Sequence, residues 1–312
     1  MKLLDLHCDT ITALSSVQLD LDNEVSAVTL GKAKNLNAQA YAQCFAIFLS
    51  DEYRGQKAIQ KWETVYYWFC RQLTLYSDKM QQVMCGKDLD EIEKNGRVAA
   101  ILTSESGAAF AGDLSRIEDM RNKGCLITSL TWNGATELAG GVYEPELGLT
   151  DFGREAVREM ERVGMIVDIS HLCDKAVADL LKIAEKPFIA THSNCRSVCS
   201  AERNLTDRFI CEIVDRRGLI GLNYLIYFLR QDDPAKADME DVARHIDYLL
   251  NLGAEDVIAL GSDFDGAKVP SSFDSLEKLN GLYAYLASHF GQNLTDKLFY
   301  ENGRAFFLRN FK

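Results

Sequence analysis

Short apolar segments alternate with amphipathic segments along most of the chain. Eight of the apolar segments are rich in Val, Ile and Leu and have the length of strands buried on both faces. The eight predicted strands span residues 3–9, 43–49, 97–104, 125–132, 165–171, 188–192, 219–224 and 257–263. Strands of this kind are typical of parallel sheets, because helices cover both faces of such sheets.

Capping residues and glycines predict helices between the later strands. The predicted helices span 152–163, 174–185, 206–217 and 239–252. The first follows Thr150, ends at Gly164 and thus has a start and a stop signal. Strands that alternate with helices pair in parallel, and eight such units in about 300 residues match a (β/α)8 TIM barrel. An open doubly wound sheet is the alternative, although no GxGxxG motif follows the first strand.

The chain is predicted to form one domain over residues 1–312, because it contains no linker, no low-complexity tract and only four prolines. Residues 54–76 have large apolar side chains at helical spacing, which predicts one long helix packed on the core. Two long intervals separate the early strands, at residues 10–40 and 51–95. We expect both intervals to shape the mouth of a pocket.

Three of the five histidines stand at the ends of predicted strands. His7, His171 and His192 end the first, fifth and sixth strands, and Asp9 and Glu105 occupy matching positions after the first and third. Active-site residues of a (β/α)8 barrel lie at the carboxyl ends of its strands. A single buried histidine is more often a hydrogen-bonded core residue than a ligand. Five ligand-type residues at strand ends favour a metal centre.

The chemistry of these five side chains suits divalent ions. His7 and Asp9 are two apart on a predicted strand, so their side chains point to the same side and can hold one ion. Glu105, His171 and His192 can hold a second ion, with Glu105 as a bridge. Imidazole and carboxylate without thiolate favour two Zn²⁺ ions, with Mn²⁺, Fe²⁺ or Co²⁺ as alternatives. Two such ions about 3.5–4 Å apart can bind a hydroxide between them.

Two further residues are candidates for catalysis and substrate binding. Asp263 ends the eighth strand within GSDFDG and could move a proton from the attacking water to a leaving amine. A turn is the alternative for this segment, and it suits Asp265 better. Arg203 could clamp a substrate carboxylate, although a lone arginine is more often a loop residue. Other acids are expected on the solvated surface, among them Asp51, Glu52, Asp232 and Asp233.

Composition excludes some classes of binding partner and indicates the cellular compartment of the protein. The net charge of −12 argues against nucleic acid or an anionic membrane as the main partner. Nine cysteines without zinc-finger spacing favour reduced core residues of a cytoplasmic protein. The amino terminus lacks a signal-peptide pattern, and no segment reaches the roughly 18 apolar residues of a membrane span. GxSxG, Walker and HExxH motifs are absent.

Seven short motifs resemble the membrane (renal) dipeptidase family, peptidase family M19 of the amidohydrolase superfamily. They are DLHCDT at 5–10, SESG at 104–107, SLTWN at 129–133, VDISH at 167–171, ATHS at 190–193, ERNL at 202–205 and GSDFDG at 261–266. The resemblance implies a (β/α)8 barrel with two metal ions. His7 and Asp9 match ligands of the first metal, Glu105 matches the bridge, and His171 and His192 match ligands of the second.

The same resemblance assigns the remaining site residues. Asp263 matches the acid–base aspartate, and Arg203 matches the arginine that holds the carboxylate of a dipeptide. One position departs from the mammalian members, which carry a substrate-binding histidine where this chain has Trp132. The missing imidazole would polarise the substrate carbonyl or hold the oxyanion, and Asn133 is the candidate to replace it.

Together with this resemblance, the sequence predicts a cytoplasmic, zinc-dependent metallo-dipeptidase that uses a metal-bridging hydroxide and acts on L,L-dipeptides, with L,D-dipeptides left open. The expected partner is a small dipeptide, without nucleic acid or membrane, and the resemblance is compatible with a homodimer. One alternative is an amidohydrolase that acts on N-acyl-D-amino acids or another small amide. The other is a non-catalytic metal-binding protein.

Overall fold

Eight parallel strands form one curled sheet in the computed structural model, which describes residues 1–312. They are β1 (Leu3–Cys8), β2 (Tyr41–Phe48), β3 (Met80–Gln82), β4 (Val98–Glu105), β5 (Cys125–Ser129), β6 (Ile166–Asp168), β7 (Ile220–Leu222) and β8 (Ile258–Leu260). Seven of them follow the order β6-β5-β4-β2-β1-β8-β7, and β3 pairs with β4 beside this path. The α/β class with a parallel sheet is confirmed, and all carboxyl ends lie at one edge.

Helices connect the strands and cover the sheet. They are α1 (Thr10–Val17), α2 (Leu30–Leu36), α3 (Gly55–Leu75), α4 (Asp88–Lys94), α5 (Ser115–Asn122), α6 (Asp151–Val163), α7 (Asp174–Leu180), α8 (Asp207–Asp215), α9 (Ile226–Leu229), α10 (Met239–Asn251), α11 (Leu279–Phe290), α12 (Gln292–Asp296) and α13 (Asn302–Asn310). A π-helical turn, Lys297–Glu301, joins the last two. None of these helices combines the length and the apolar character needed to cross a bilayer.

The long helix predicted at 54–76 is present as α3. Its buried face carries Trp62, Val65 and Phe69, which lie one turn apart and pack into the main core. Trp68 instead lies at the edge of this face and donates its indole N–H to the Leu19 carbonyl. The helical spacing read from the sequence therefore identified the correct face.

The predicted strand at 188–192 does not form a regular ladder. Ile189 makes one bridge to Asp168 of β6, and Ala190 makes one bridge to Ile220 of β7. Because only one residue pair joins it to each neighbour, the segment is extended without being a strand. It still lies between β6 and β7, and thus brings its carboxyl end to the same edge as theirs.

The interval 51–95 contains a strand that the sequence did not predict. Strand β3 has only three residues, Met-Gln-Gln, and pairs with the start of β4. A three-residue strand with two glutamines has no apolar run, so neither the length nor the pattern of a buried strand was present.

Alternating residues of β1 face two different environments. Leu4 and Leu6 pack in a cluster with Phe306 and Phe307 of α13. Asp5 lies on the opposite face, where its carboxylate accepts hydrogen bonds from Gln43 and from the backbone and hydroxyl of Ser262. Burial raises the pKa of Asp5. This buried carboxylate ties β1 to β2 and to the end of β8, two residues before His7.

Candidate metal centre

His7 and Asp9 come together at the end of β1, but not on one strand as predicted. The pairing of β1 with β2 shifts between Asp5 and Cys8, and Asp9 lies beyond the strand as the residue before α1. The amide of Asp9 donates to the Phe264 carbonyl, which anchors the turn to the loop after β8. Asp9 Oδ2 lies 3.7 Å from His7 Nε2. The two side chains thus meet through a turn rather than through strand alternation.

Glu105 is the last residue of β4 and lies between the histidines. Its Oε2 atom is 3.4 Å from His7 Nε2, and its Oε1 atom is 2.7 Å from His171 Nε2 and 3.7 Å from His192 Nε2. Each carboxylate oxygen therefore faces a different part of the cluster. This is the arrangement expected of a bridging carboxylate.

The outer nitrogens of His171 and His192 are held by hydrogen bonds. His192 Nδ1 lies 2.7 Å from Thr191 Oγ1, and that hydroxyl donates to Asp168 Oδ2 at 2.6 Å. The hydroxyl is thus left as an acceptor, so His192 carries its proton on Nδ1. His171 Nδ1 lies 2.8 Å from Asn133 Oδ1, which is an acceptor as well.

The inner nitrogens of the same two rings therefore carry lone pairs. His171 Nε2 and His192 Nε2 are only 2.8 Å apart. Two lone pairs at this distance repel each other unless a cation lies beside them. Histidines that ligate a metal through one nitrogen commonly donate the other N–H to a carbonyl, a carboxylate or another acceptor, as these two do.

The electrostatics of the cluster is set by burial and by the density of carboxylates. Burial raises the pKa of Glu105 to about 8, and the neighbouring Asp9 charge adds to this effect. Burial disfavours a charged His7, but Glu105 and Asp9 outweigh it and the pKa of His7 is raised well above its usual value. Burial lowers the pKa of His171 and of His192 well below the usual value, so both rings are neutral.

Several buried polar atoms of the cluster have no hydrogen-bond partner in the protein. They are His7 Nε2, Asp9 Oδ1 and Glu105 Oε2. Two groups have all their ligand atoms within 4.8 Å of one another: His7, Glu105 and His192, and His7, Asp9 and Asp263. Buried polar atoms without partners are costly, and nitrogen with carboxylate oxygen is a donor set that divalent ions accept. The residues therefore fit a metal centre.

Three residues at the centre have left-handed backbone conformations that non-glycine residues rarely adopt. The φ angles are 85° at Ser106, which follows Glu105, 72° at His171 and 61° at Asp263. Such conformations cost free energy and persist where the surrounding structure imposes them, often at functional sites. The backbone thus turns sharply at the ends of these strands, where the side chains of the cluster begin.

Asp263 faces both the cluster and the cavity. Its Oδ1 atom is 3.9 Å from His7 Nε2, and its Oδ2 atom accepts a hydrogen bond of 2.9 Å from Asn223 Nδ2. Burial raises the pKa of Asp263. Asn223 is not among the site residues predicted from the sequence, although it lies near the end of the predicted strand 219–224 and hence at the same edge.

Arg203 is a buried cation without an ion pair. Its guanidinium makes long hydrogen bonds of 3.3 Å to Ser193 Oγ and 3.4 Å to the His192 carbonyl, and its Nε atom has no partner. No carboxylate lies within 4.0 Å of it, and the Phe228 ring lies 5.5 Å from its Cζ atom. Arg203 is only 9% exposed, and the burial of an unpaired charge costs free energy unless an anion binds to it.

The segment Trp132–Asn133 is held by a residue that was expected to be solvated. Asp51 Oδ2 accepts a hydrogen bond of 2.8 Å from the amide of Gly134, and Arg54 donates to the Ala135 carbonyl. The prediction of a free surface acid is wrong for Asp51. The reason is tertiary, because the loop after β5 folds back onto the loop after β2.

One cavity of about 860 Å³ lies over the cluster at the carboxyl edge of the sheet. Seven predicted site residues line it: Asp9, Glu105, Trp132, Asn133, His171, Arg203 and Asp263. Thr12, Ala13 and Ser16 of α1 contribute from the interval 10–40, as expected. No lining residue comes from 51–95, because α3 packs beside β2 and the turn after Glu105. This interval contributes only indirectly, through the bonds of Asp51 and Arg54 to the loop that carries Trp132 and Asn133.

Comparison with protein families gives a match over almost the whole chain. Residues 1–304 match the family described as membrane dipeptidase, peptidase family M19. A protein from the pqqA 5′ region of Klebsiella pneumoniae is 32% identical over 243 residues, which cover 74% of this chain and 90% of that protein. The dipeptidase tcpJ of Claviceps purpurea is 32% identical over 213 residues, but the chain spans only 49% of its length.

Solved structures share the fold over the full length. A metallo peptidase from Rhodobacter sphaeroides, liganded with a phosphinate mimic of the dipeptide L-Ala-D-Ala, has a TM-score of 0.93 at 25% identity, covering 100% of this chain and 99% of that one. The structure described as dipeptidase AC, of peptidase family M19, has a TM-score of 0.94 at 26% identity with the same coverage. The chain belongs to the membrane dipeptidase family, peptidase family M19.

Proposed function

We propose that this protein is a metal-dependent dipeptidase. The observation that carries the proposal is the unpaired, buried guanidinium of Arg203, which shares one cavity with the imidazole–carboxylate cluster. A hydrolase of this kind needs a hydrolytic centre and an anchor for the carboxylate of its substrate. Both are present here on the same edge of the sheet, and family membership supports the reaction class.

The cluster would hold two Zn²⁺ ions, with Mn²⁺, Fe²⁺ or Co²⁺ as alternatives. His7 and Asp9 would bind one ion, His171 and His192 the other, and Glu105 both. When bound, such ions lower the pKa of a water molecule and polarise a carbonyl group. The nitrogen lone pairs of His171 and His192 and the orphaned oxygens of Asp9 and Glu105 support this assignment.

Asp263 would move the proton in the reaction. The carboxylate accepts a proton from the attacking water as the carbon–oxygen bond forms, and delivers it to the leaving nitrogen as the carbon–nitrogen bond breaks. Asn223 holds Oδ2 of Asp263, so that Oδ1 stays directed at the cluster.

Arg203 would bind the carboxylate at the carboxyl terminus of the substrate. Its weak internal hydrogen bonds leave most of the guanidinium free for a paired interaction with two carboxylate oxygens. A longer peptide would place its carboxylate one or more residues further from the scissile bond. The anchor therefore selects dipeptides.

Trp132 and Asn133 would both serve substrate binding, in different ways. Trp132 occupies the position where the mammalian members carry a substrate-binding histidine, and its ring lies 6.3 Å from the ring of His171. The carbonyl oxygen of Asn133 is already used by His171. Asn133 therefore acts on the substrate mainly through the orientation of that imidazole.

The finer structural expectations belong to the same proposal. The bridges of Ile189 and Ala190 support an eight-membered (β/α)8 barrel in which 188–192 lies between β6 and β7. We treat residues 1–312 as a single catalytic domain. Nine free thiols are compatible with a cytoplasmic, reducing location, and a homodimer is expected from the family alone.

An amidohydrolase that acts on N-acyl-D-amino acids is the second candidate. Such substrates also carry a carboxylate that Arg203 can bind, so this anchor alone does not distinguish the two. The test is a kinetic screen of the zinc- or manganese-loaded enzyme with L,L- and L,D-dipeptides, their carboxyl-terminal amides and N-acyl amino acids. Hydrolysis of free dipeptides, with amides about 100-fold slower, is expected from the loss of a charged hydrogen-bonded pair. Hydrolysis of N-acyl amino acids only would contradict the dipeptidase assignment.

A further inference from the structure

An aromatic wall lines one side of the cavity. Phe48 is the last residue of β2 and Trp132 follows β5, and their rings meet edge to face with centroids 5.1 Å apart. Both side chains line the cavity and are only half-buried. Large apolar side chains that remain open to a cavity are typical of surfaces that contact a ligand.

The order of the strands places the Phe48 end of this wall across the sheet from Arg203. Strands β2 and β5 lie on either side of β4, which delivers Glu105. Arg203 follows the segment 188–192, which lies between β6 and β7. Glu105 lies between the two strands of the wall, and His192 lies beside Arg203 and 3.7 Å from Glu105, so the metal-type cluster is between the wall and the guanidinium. A dipeptide with its carboxylate on Arg203 and its scissile carbonyl at the cluster would extend its amino-terminal residue towards the wall.

Three hydroxyl groups beside the wall are already engaged within the protein. The Thr12 hydroxyl donates to the Ala46 carbonyl, and the Ser16 hydroxyl donates to the Thr12 carbonyl. The Ser50 hydroxyl donates to the Glu52 carboxylate. The charged lining residues outside the catalytic cluster, Glu202, Asp265 and Lys268, lie in the loops after 188–192 and after β8. Glu105 of the cluster pairs with Phe48 across the sheet, and no basic side chain lies on the strand ends that carry the wall. A negatively charged substrate side chain would therefore lose its hydration at the wall without compensation.

The wall is also held in place before any substrate binds. The amide of Phe48 donates to Thr12 Oγ1 at 2.9 Å. The segment after Trp132 is fixed by Asp51 at Gly134 and by the contact of Asn133 with His171. A surface that is ordered in advance loses little conformational entropy on binding, which favours selectivity.

We propose that Phe48 and Trp132 bind the side chain of the amino-terminal residue of the substrate and select an apolar one. The preferred substrates are dipeptides that begin with a branched aliphatic or aromatic residue. This inference rests on the proposed dipeptidase function, because that function sets the direction in which the peptide lies.

The test is a series of dipeptides that differ only at the first residue. Leu-Ala, Phe-Ala, Ala-Ala and Asp-Ala are compared by kcat/KM with the metal-loaded enzyme, using the configuration of the second alanine that gives the faster turnover of Ala-Ala. We expect Leu-Ala to exceed Ala-Ala by about 10-fold or more and Asp-Ala by about 100-fold, the range typical of apolar specificity pockets. Calorimetry with phosphinate mimics of Leu-Ala and Ala-Ala gives the same comparison without turnover.

Two variants and a control separate the wall from general effects. Trp132→Ala should reduce the ratio of Leu-Ala to Ala-Ala towards one, and Phe48→Arg should raise Asp-Ala relative to Leu-Ala. Tyr67→Ala removes an aromatic ring that is 68% exposed on α3 and should leave both ratios unchanged.

The outcomes distinguish the two proposals. Hydrolysis of all four dipeptides at similar rates, or a preference for Asp-Ala, would overturn the role of the wall and leave the dipeptidase function standing. Failure to hydrolyse any dipeptide, with metals bound, would overturn both. If Trp132→Ala folds poorly, the ratio in Phe48→Arg and the calorimetric difference still decide the matter.

Discussion

Single side chains at the centre are oriented by partners that touch no substrate. The Thr191 hydroxyl donates its hydrogen to Asp168 and therefore accepts a hydrogen bond from His192 Nδ1, and the Asn133 carbonyl oxygen accepts one from His171 Nδ1 in the same way. In both cases the consequence is a lone pair on Nε2. At this scale the donor set is specified by hydrogen bonds to the far side of each ring rather than by the ligands alone.

Substitution of Asn133 tests this orientation. Asn133→Ala removes the acceptor of the His171 proton, so metal affinity should fall by about 10- to 100-fold, the usual cost of losing such a partner. Asn133→Asp keeps an oxygen acceptor and should retain most of the affinity. The measurement is competition for zinc against a chelator of known affinity. Equal affinities of the Ala variant and the unsubstituted protein would contradict the assignment.

Asp263 provides a second prediction at the residue scale. Asp263→Asn keeps the shape and the bond to Asn223 through its carbonyl oxygen, but removes the proton acceptor. We expect kcat to fall by about 10²- to 10⁴-fold, the range for loss of general acid–base catalysis. The metal content, measured by elemental analysis, should change little because His7, Asp9 and Glu105 remain. Full activity of a metal-loaded Asn variant would rule out the proposed proton route.

At the scale of elements, the positions of the metal-type ligands could be predicted because they lie at the carboxyl ends of parallel strands. His7 and Glu105 lie within β1 and β4 near their ends, so an apolar run followed by a polar ligand was enough to place them. The prediction that Asp9 lies near His7 is correct, but its reason, alternation along one strand, is wrong. The strand ends at Cys8, and the turn that follows brings Asp9 back towards His7. The segment 188–192 has the composition of a strand but makes only one bridge on each side. The number of bridges depends on how the neighbouring strands lie, and the residues of the segment do not determine it.

The contacts between loops are the part of the site that could not be predicted from local sequence. Asp51 resembles any exposed loop acid in sequence, and its role depends on the fold-back of a loop more than 80 positions away. Asn223 had a detectable signal, since it ends an apolar run at the correct edge. Its bond to Asp263 nevertheless joins two different strand ends, and this pairing becomes visible only when the sheet order is known.

Removal of the Asp51 contact tests the importance of this loop packing. Asp51→Ala frees the amide of Gly134 and removes a hydrogen bond to a charged group, which is worth about 1.5–3 kcal/mol. The loop that carries Trp132 and Asn133 should become less ordered, and kcat/KM should fall by about 10-fold or more. Asp232→Ala, at an acid whose side chain is 77% exposed, is the matched control and should retain activity. Equal kcat/KM for both variants would contradict the role of Asp51.

At the scale of the whole molecule, the centre concentrates negative charge inside an already acidic protein. Asp9, Glu105 and Asp263 surround His7 within 3.9 Å, and the buried guanidinium of Arg203 pairs with none of the three carboxylates. The raised pKa values of Glu105 and His7 both show that the metal-free site retains protons. Divalent ions would replace these protons, so metal binding is coupled to pH.

Metal affinity should therefore increase with pH. Glu105 must lose its proton to act as a ligand, and its pKa of about 8 means that protons compete with metal below that pH. His7 adds to the same trend, whereas His171 and His192 are already neutral and add little. Titration with zinc in buffers between pH 6 and 8.5 should show tighter binding and fewer released protons as the pH rises. A pH-independent affinity would contradict the retained protons.

Removal of the metals should also lower the thermal stability of the entire chain, because the ligands come from strand ends distributed around the sheet. At a free metal concentration of about 1,000 times Kd, binding stabilises a protein by about 4 kcal/mol. Two such ions together contribute about 8 kcal/mol, which for a chain of 312 residues corresponds to a decrease in Tm of roughly 12 °C on chelation, from the usual unfolding entropy per residue. Differential scanning calorimetry before and after chelation measures it, and re-addition of zinc should restore the original Tm. In Glu105→Gln, which lacks the bridging charge, chelation should change Tm much less. An unchanged Tm in a protein shown to have lost its metals would mean that the site is formed without them.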